Sequence, residues 1–180
     1  MNRIRNLSRI IRIIGQVIFY LTLIGVIVAL TILSFGSKID LIEKSARVYL
    51  FGHKVGLFSL GTVEKILISL TILLTIGIYL FGLYHFIKLF KLFEKGEIFT
   101  EKTIHQFKML GLACIFYFPI SVVSQLTKWY VVLSVKLDAH PGISQIFKDF
   151  DIFVVGIAVI LISWIMNEGK KLKDEQDLVV

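Results

Sequence analysis

Four long apolar runs separated by shorter polar stretches dominate the chain. A membrane-spanning helix needs about 20 mostly apolar residues, and each run comes near that length. The first covers 13–35, with Gln16 its one strongly polar member. The second covers 66–87 and ends at Lys88 and Lys91; Ser69, Thr71 and Thr75 within it are expected to satisfy their hydroxyls on their own helix backbone. The third covers 109–126 and contains Pro119. An interior proline kinks a helix or frees a carbonyl, which a spanning helix tolerates when neighbours re-satisfy the backbone. Apolar character resumes over 129–135, a β-branched and aromatic stretch for which a helix extension and a short strand both stay open. The fourth run, 150–167, is preceded by Ile146 and Phe147 at helical spacing. Asp149 and Asp151 fall near its start, where the positive end of the helix dipole favours carboxylates.

Two longer connections remain. Within 36–65, the β-rich runs 47–51 and 55–60 surround Gly52-His53-Lys54 and predict a small hairpin on the membrane surface. The segment 127–151 turns at His140-Pro141-Gly142. There is no internal repeat and no linker. The pattern therefore predicts an all-α integral membrane protein: one four-helix transmembrane domain over 1–180, with a loop at 88–108, a tail at 168–180 and a possible hairpin in the first outer loop.

Composition sharpens this. Of 180 residues, 56% are hydrophobic and 18% charged, against about 45–50% and 25% in a soluble domain. That excludes disorder and a collagen-like fibre. A formal charge of +7 would raise the question of nucleic acid in a soluble protein. Here the basic residues flank apolar runs, as they do at cytoplasmic membrane borders, so no direct nucleic-acid binding is expected.

Four spans place both termini on one side. With the termini inside, the N-terminus, the 88–108 loop and the tail hold 12 of the 20 basic residues. The bias is strongest before the first span, where Arg3, Arg5, Arg9 and Arg12 stand among no acidic residue, and the first helix usually dominates orientation. The expected topology is N-in and C-in in a bacterial cytoplasmic membrane. The first run is too long for a signal-peptide core and is followed by no small-x-small cleavage site, so it is expected to be retained.

Candidate chemistry is sparse. The spans carry no Asp, Glu, Lys or Arg in their central parts, where coupled pumps and transporters usually need one. Gln16, His85 and Gln125 lie nearer span ends and are expected to make interhelical hydrogen bonds or to snorkel to the interface. The four histidines are dispersed. A metal site from His53, Asp138 and His140 is conceivable, but loop histidines are more often simply solvated, and no paired His or Cys spacing appears. No phosphate loop, nucleophile elbow or His-Glu-x-x-His pair occurs. The lone Cys114 reads as a small packing residue. Nothing implies a cofactor, and a non-enzyme is expected. Gly25-x-x-x-Ala29 permits close helix approach, within the bundle or in a homo-oligomer.

The informative segments lie outside the spans. In the loop, Gly96 suits a left-handed turn after the second helix, Thr100 an N-cap for the third, and Glu101 its first turn. Phe93, Ile98 and Phe99 are expected in the membrane interface. In the tail, Lys170, Lys171 and Lys173 precede Asp174, Glu175 and Asp177, and the chain closes on Leu178-Val179-Val180. That apolar end after acids is placed to fold against the loop or engage a partner.

At these two segments the chain resembles a family of small four-span bacterial membrane proteins, catalogued as domain of unknown function 2975. The resemblance rests on the Gly-x-x-Phe-Thr turn, here Gly96, Phe99 and Thr100, and on a tail of the type Gly-x-x-Leu-x-x-Glu-x-Asp-Leu-Thr-Val. Here that tail is Gly169, Leu172, Glu175, Asp177 and Leu178, with Val179 where the family tends to have Thr. The resemblance implies an integral membrane protein without an established activity. Genes of the family often look paired with small helix-turn-helix regulators, which implies by analogy a cytoplasmic regulator as partner. The leading expectation is a non-enzymatic interaction protein using those eight residues. The alternative is a subunit of a small transporter or channel.

Overall fold

A computed structural model of the protein describes residues 2–35, 47–50, 53–56, 60–136 and 142–177. In chain order these form α1 (Asn2–Phe35), β1 (Arg47–Leu50), β2 (His53–Gly56), α2 (Thr62–Lys95), α3 (Glu101–Ser134), α4 (Ile143–Ile146) and α5 (Phe150–Asp177). Among the described residues, four segments are helical, long and apolar enough to cross a membrane: Arg5–Thr31, Thr62–Lys95, Glu101–Ser134 and Ile143–Gln176. The expected fold class holds: an all-α membrane protein with four spanning helices.

The helices outrun the apolar runs that predict them. Arginine and lysine are good helix formers, so α1 and α5 continue through the Arg5–Arg12 and Lys170–Lys171 stretches. The question over 129–135 resolves as helix to Ser134. The fourth run is entered through the single turn of α4, after which α5 starts afresh with Asp151 in its first turn. The hairpin forms with Arg47 opposite Gly56 and Leu50 opposite His53. His53 and Lys54 therefore belong to the second strand rather than to the turn; 51–52 and 57–59 lie outside the described residues.

The chain divides into two compact units. One comprises Met1–Tyr20, Ile78–Phe118 and Phe150–Val180; the other, Leu21–Gly77 and Pro119–Asp149. In the first unit, small residues set the helix spacing. Gly15 of α1 faces Ile87 of α2, where an added Cβ would come within 3.1 Å of the Ile87 side chain. Gly111 of α3 and Gly156 of α5 pack backbone against backbone. A Cβ on either would meet the other's carbonyl oxygen at 2.9–3.0 Å. Buried polar groups then join the helices. His85 Nδ1 donates to Gln106 Oε1 at 2.7 Å, and Ser163 Oγ donates to the Ile104 carbonyl at 3.1 Å. The His85 bond is interhelical, as expected; Gln16 instead accepts from Arg12 on its own helix at 3.2 Å. Phe86, Phe90, Phe93 and Phe107 form a run of ring contacts.

The second unit holds an aliphatic core of Leu50, Val55, Leu60, Ile68, Val131 and Val132, with Leu50, Val131 and Val132 fully buried. Thr71 and Thr75 bond to carbonyls of their own helix at 2.8–3.0 Å, as expected. Ser121 donates to the carboxylate of Asp149, just ahead of α5. Gly25 stands exposed with no neighbour within 4 Å of a would-be Cβ. Among the described residues the close helix crossing is made by Gly111 and Gly156 rather than by Gly25.

Candidate interaction face

The connection between α2 and α3 is only the five residues 96–100, and its chemistry is local. Gly96 has φ +83°, a conformation that costs about 1–2 kcal/mol with a Cβ present. From there its N–H reaches the Phe93 carbonyl at 3.0 Å, and the Glu97 N–H reaches Leu92 at 3.1 Å. These two bonds are the Schellman arrangement, which satisfies carbonyls orphaned at a helix end. Thr100 then caps α3. Its Oγ1 accepts the Thr103 N–H at 3.3 Å, and its carbonyl accepts the Ile104 N–H at 3.0 Å. Thr103, fully buried, donates its hydroxyl to the Glu97 carbonyl at 2.6 Å. Having spent that hydrogen, it accepts from the Thr100 hydroxyl, 3.1 Å away. The corner is therefore fixed by its own hydrogen bonds.

Two ionic contacts attach other elements to it. Lys170 Nζ on α5 lies 2.6 Å from Glu101 Oε1 in the first turn of α3, joining the tail to the loop. Exposed pairs of this kind are screened by water and contribute little, so it marks proximity more than stability. At the end of α2, Glu94 receives Arg9 Nε at 2.8 Å and Arg12 Nε at 2.9 Å. Arg5 Nε donates to the Glu94 backbone carbonyl at 3.2 Å. Along the sequence these arginines have no acidic companion; in the fold Glu94 supplies one from more than 80 residues away. The legible signal was their spacing, since 5, 9 and 12 share a helix face.

The candidate motif residues divide by role. Gly96 and Thr100 shape the corner. Phe99 and Leu172 are exposed, at 60% and 61%. Gly169 and Glu175 are exposed on α5, and Asp177 closes that helix. Leu178 lies outside the described residues, as do Asp138 and His140 of the conceivable metal site. Among the described residues, no three His, Cys, Asp or Glu side chains converge as metal ligands. The segments meet through Glu101 and Lys170, neither of which belongs to the motif.

The first unit also carries an apolar recess of about 510 Å³, lined by Ile18, Tyr79, Leu83, Ala113, Cys114 and Tyr117 among others. Gly82 opposite Ala113 opens the space, since a Cβ there would stand 3.3 Å from that of Ala113.

Over residues 41–180 the chain matches the family described as protein of unknown function, DUF2975. The chain belongs to the DUF2975 family. The matched region contains the hairpin, α2, the corner, α3 and all of α5, hence both Glu101 and Lys170. The DUF2975 match leaves α1 outside it, so Glu94 falls within the family region and its arginine partners do not. No curated protein and no solved structure matches the chain.

Proposed function

We propose that this DUF2975 protein is a non-enzymatic interaction protein, whose corner and C-terminal tail together engage a soluble partner. The observation that carries this reading is the Lys170–Glu101 contact, which places the tail helix beside the start of α3. A surface made of two segments can recognise a partner that either alone would not hold. The rigidity of the corner supports it, because a preorganised surface loses less conformational entropy on binding. The exposure of Phe99 and Leu172 supports it as well, since each offers an apolar contact outside the apolar runs. The apolar recess is of little use to a hydrated solute, which favours this reading over a transporter or channel subunit.

In the topology proposed here, both termini lie in the cytoplasm of a bacterium and the surface faces inward. The arginine-rich start of α1 is the basis for that orientation. The test is co-purification in mild detergent. A soluble protein recovered with the full chain should be lost when 174–180 are removed, while the amount of protein in the membrane stays the same. Equal recovery from both would end the proposal.

A further inference from the structure

We propose that Arg5, Arg9 and Arg12 form a headgroup site for an anionic phospholipid, organised from below by Glu94. The geometry starts from the charge count. Arg9 and Arg12 meet the Glu94 carboxylate and Arg5 meets its backbone carbonyl, so three positive charges gather about one negative charge within about two turns of α1, an excess of two. The carboxylate is the covered partner, at 19% exposed, while Arg9 above it is 57% exposed. Each arginine meets Glu94 through its Nε alone, and a guanidinium carries five N–H donors in a planar fork. Arg12 spends a further donor on Gln16 at 3.2 Å, while the exposed Arg5 and Arg9 keep their terminal N–H groups for phosphate oxygens.

What identifies the anion as a lipid is the surface that follows. Ile13, Val17 and Tyr20 continue α1 beyond Arg9 and are all exposed. Positions 9, 13 and 20 repeat at helical spacing on one face. A phosphate at the arginines therefore has an apolar track leading from it into the spanning segment, which fits acyl chains and is of no use to a free phosphate. Basic groups at a membrane border attract anionic lipid by about 1 kcal/mol each, or about fivefold in affinity. Glu94 makes this an ordered site rather than a diffuse basic fringe.

The experiment uses the full chain in mild detergent, with retained lipid measured by native mass spectrometry. Phosphatidylglycerol should be retained over phosphatidylcholine. Arg5→Gln with Arg9→Gln should lower phosphatidylglycerol retention about 25-fold, at about fivefold per arginine. Lys108→Gln, a basic change on α3, should leave retention unchanged. Arg9→Lys keeps the charge and loses the fork, so it reports on the geometry if the double variant does not fold; a loss of about two- to fivefold is expected. Three results would overturn the proposal: equal retention of the two lipids, Arg9→Lys and the double variant both matching the unaltered chain, or displacement of phosphatidylglycerol by equimolar inorganic phosphate.

Discussion

The two units hold themselves together by different means. In the first, helices meet through glycine at Gly15, Gly111 and Gly156 and through buried polar contacts such as His85–Gln106 and Ser163 to Ile104. In the second, six aliphatic side chains from the hairpin and its neighbouring helices form a closed core. The difference follows from the surroundings of each. Helices within a bilayer gain nothing from hiding leucine, because lipid tails are equally apolar; close packing and hydrogen bonds must hold them. The hairpin lies outside the apolar runs, and its Leu50 and Val55 pack on Ile68, Val131 and Val132 of the helices, where burial of an aliphatic side chain from water is worth about 1.5–3 kcal/mol. The closed aliphatic core thus marks where the hairpin is fastened to the helices.

That contrast can be broken deliberately. Leu50→Ala should cost the most, about 2–5 kcal/mol, as expected for emptying a fully buried leucine site. Hydrogen exchange should speed up within 47–77 and 119–136 while 78–118 keeps its protection; uniform loss across the chain would refute the division into two modes of packing. Next in size is Gly156→Leu, which forces a side chain into the Gly111 crossing and should cost about 1–3 kcal/mol. Its effect should appear in thermal unfolding in detergent and fall on α3 and α5, whereas Leu161→Ala on an exposed position of the same helix should change little. If both variants unfold alike, glycine spacing is not what holds this unit.

The smallest effect concerns how each unit stops a helix. The first uses Gly96 at φ +83°, while the second uses Lys136 at φ +53°. Lysine pays the Cβ penalty that glycine avoids, so Lys136→Gly should stabilise by about 1 kcal/mol. A rise in melting temperature supports this; a fall would mean that the lysine side chain contributes more than the strain costs.

Much of this architecture was legible in the residues. The four runs stand out because length and hydropathy are local properties. The corner was legible for the same reason: Gly96 and Thr100 act within three residues of themselves. Contacts between distant segments were not. Glu94 with Arg9 and Arg12, Lys170 with Glu101, and Gly111 with Gly156 each join positions 45 or more apart. Nothing in the chain's local pattern ranks Gly111 above Gly25, since spacing states that a helix can be approached closely without stating from which side. The hairpin is legible as the runs 47–51 and 55–60, but its register is not: His53 and Lys54, between those runs, pair with Leu50 and Tyr49.

One property of α5 bears on any event at the membrane. The helix runs unbroken from Phe150 to Asp177, so the eleven residues after Met166 form a stalk about 16 Å long at 1.5 Å per residue. Gly156 at the α3 crossing, Lys170 and Leu172 therefore lie on one continuous helix. Beyond the crossing, Gly169 is an exposed glycine that weakens the helix by about 1 kcal/mol relative to alanine. The Glu101 contact of Lys170 is thus made one residue beyond that weakened point.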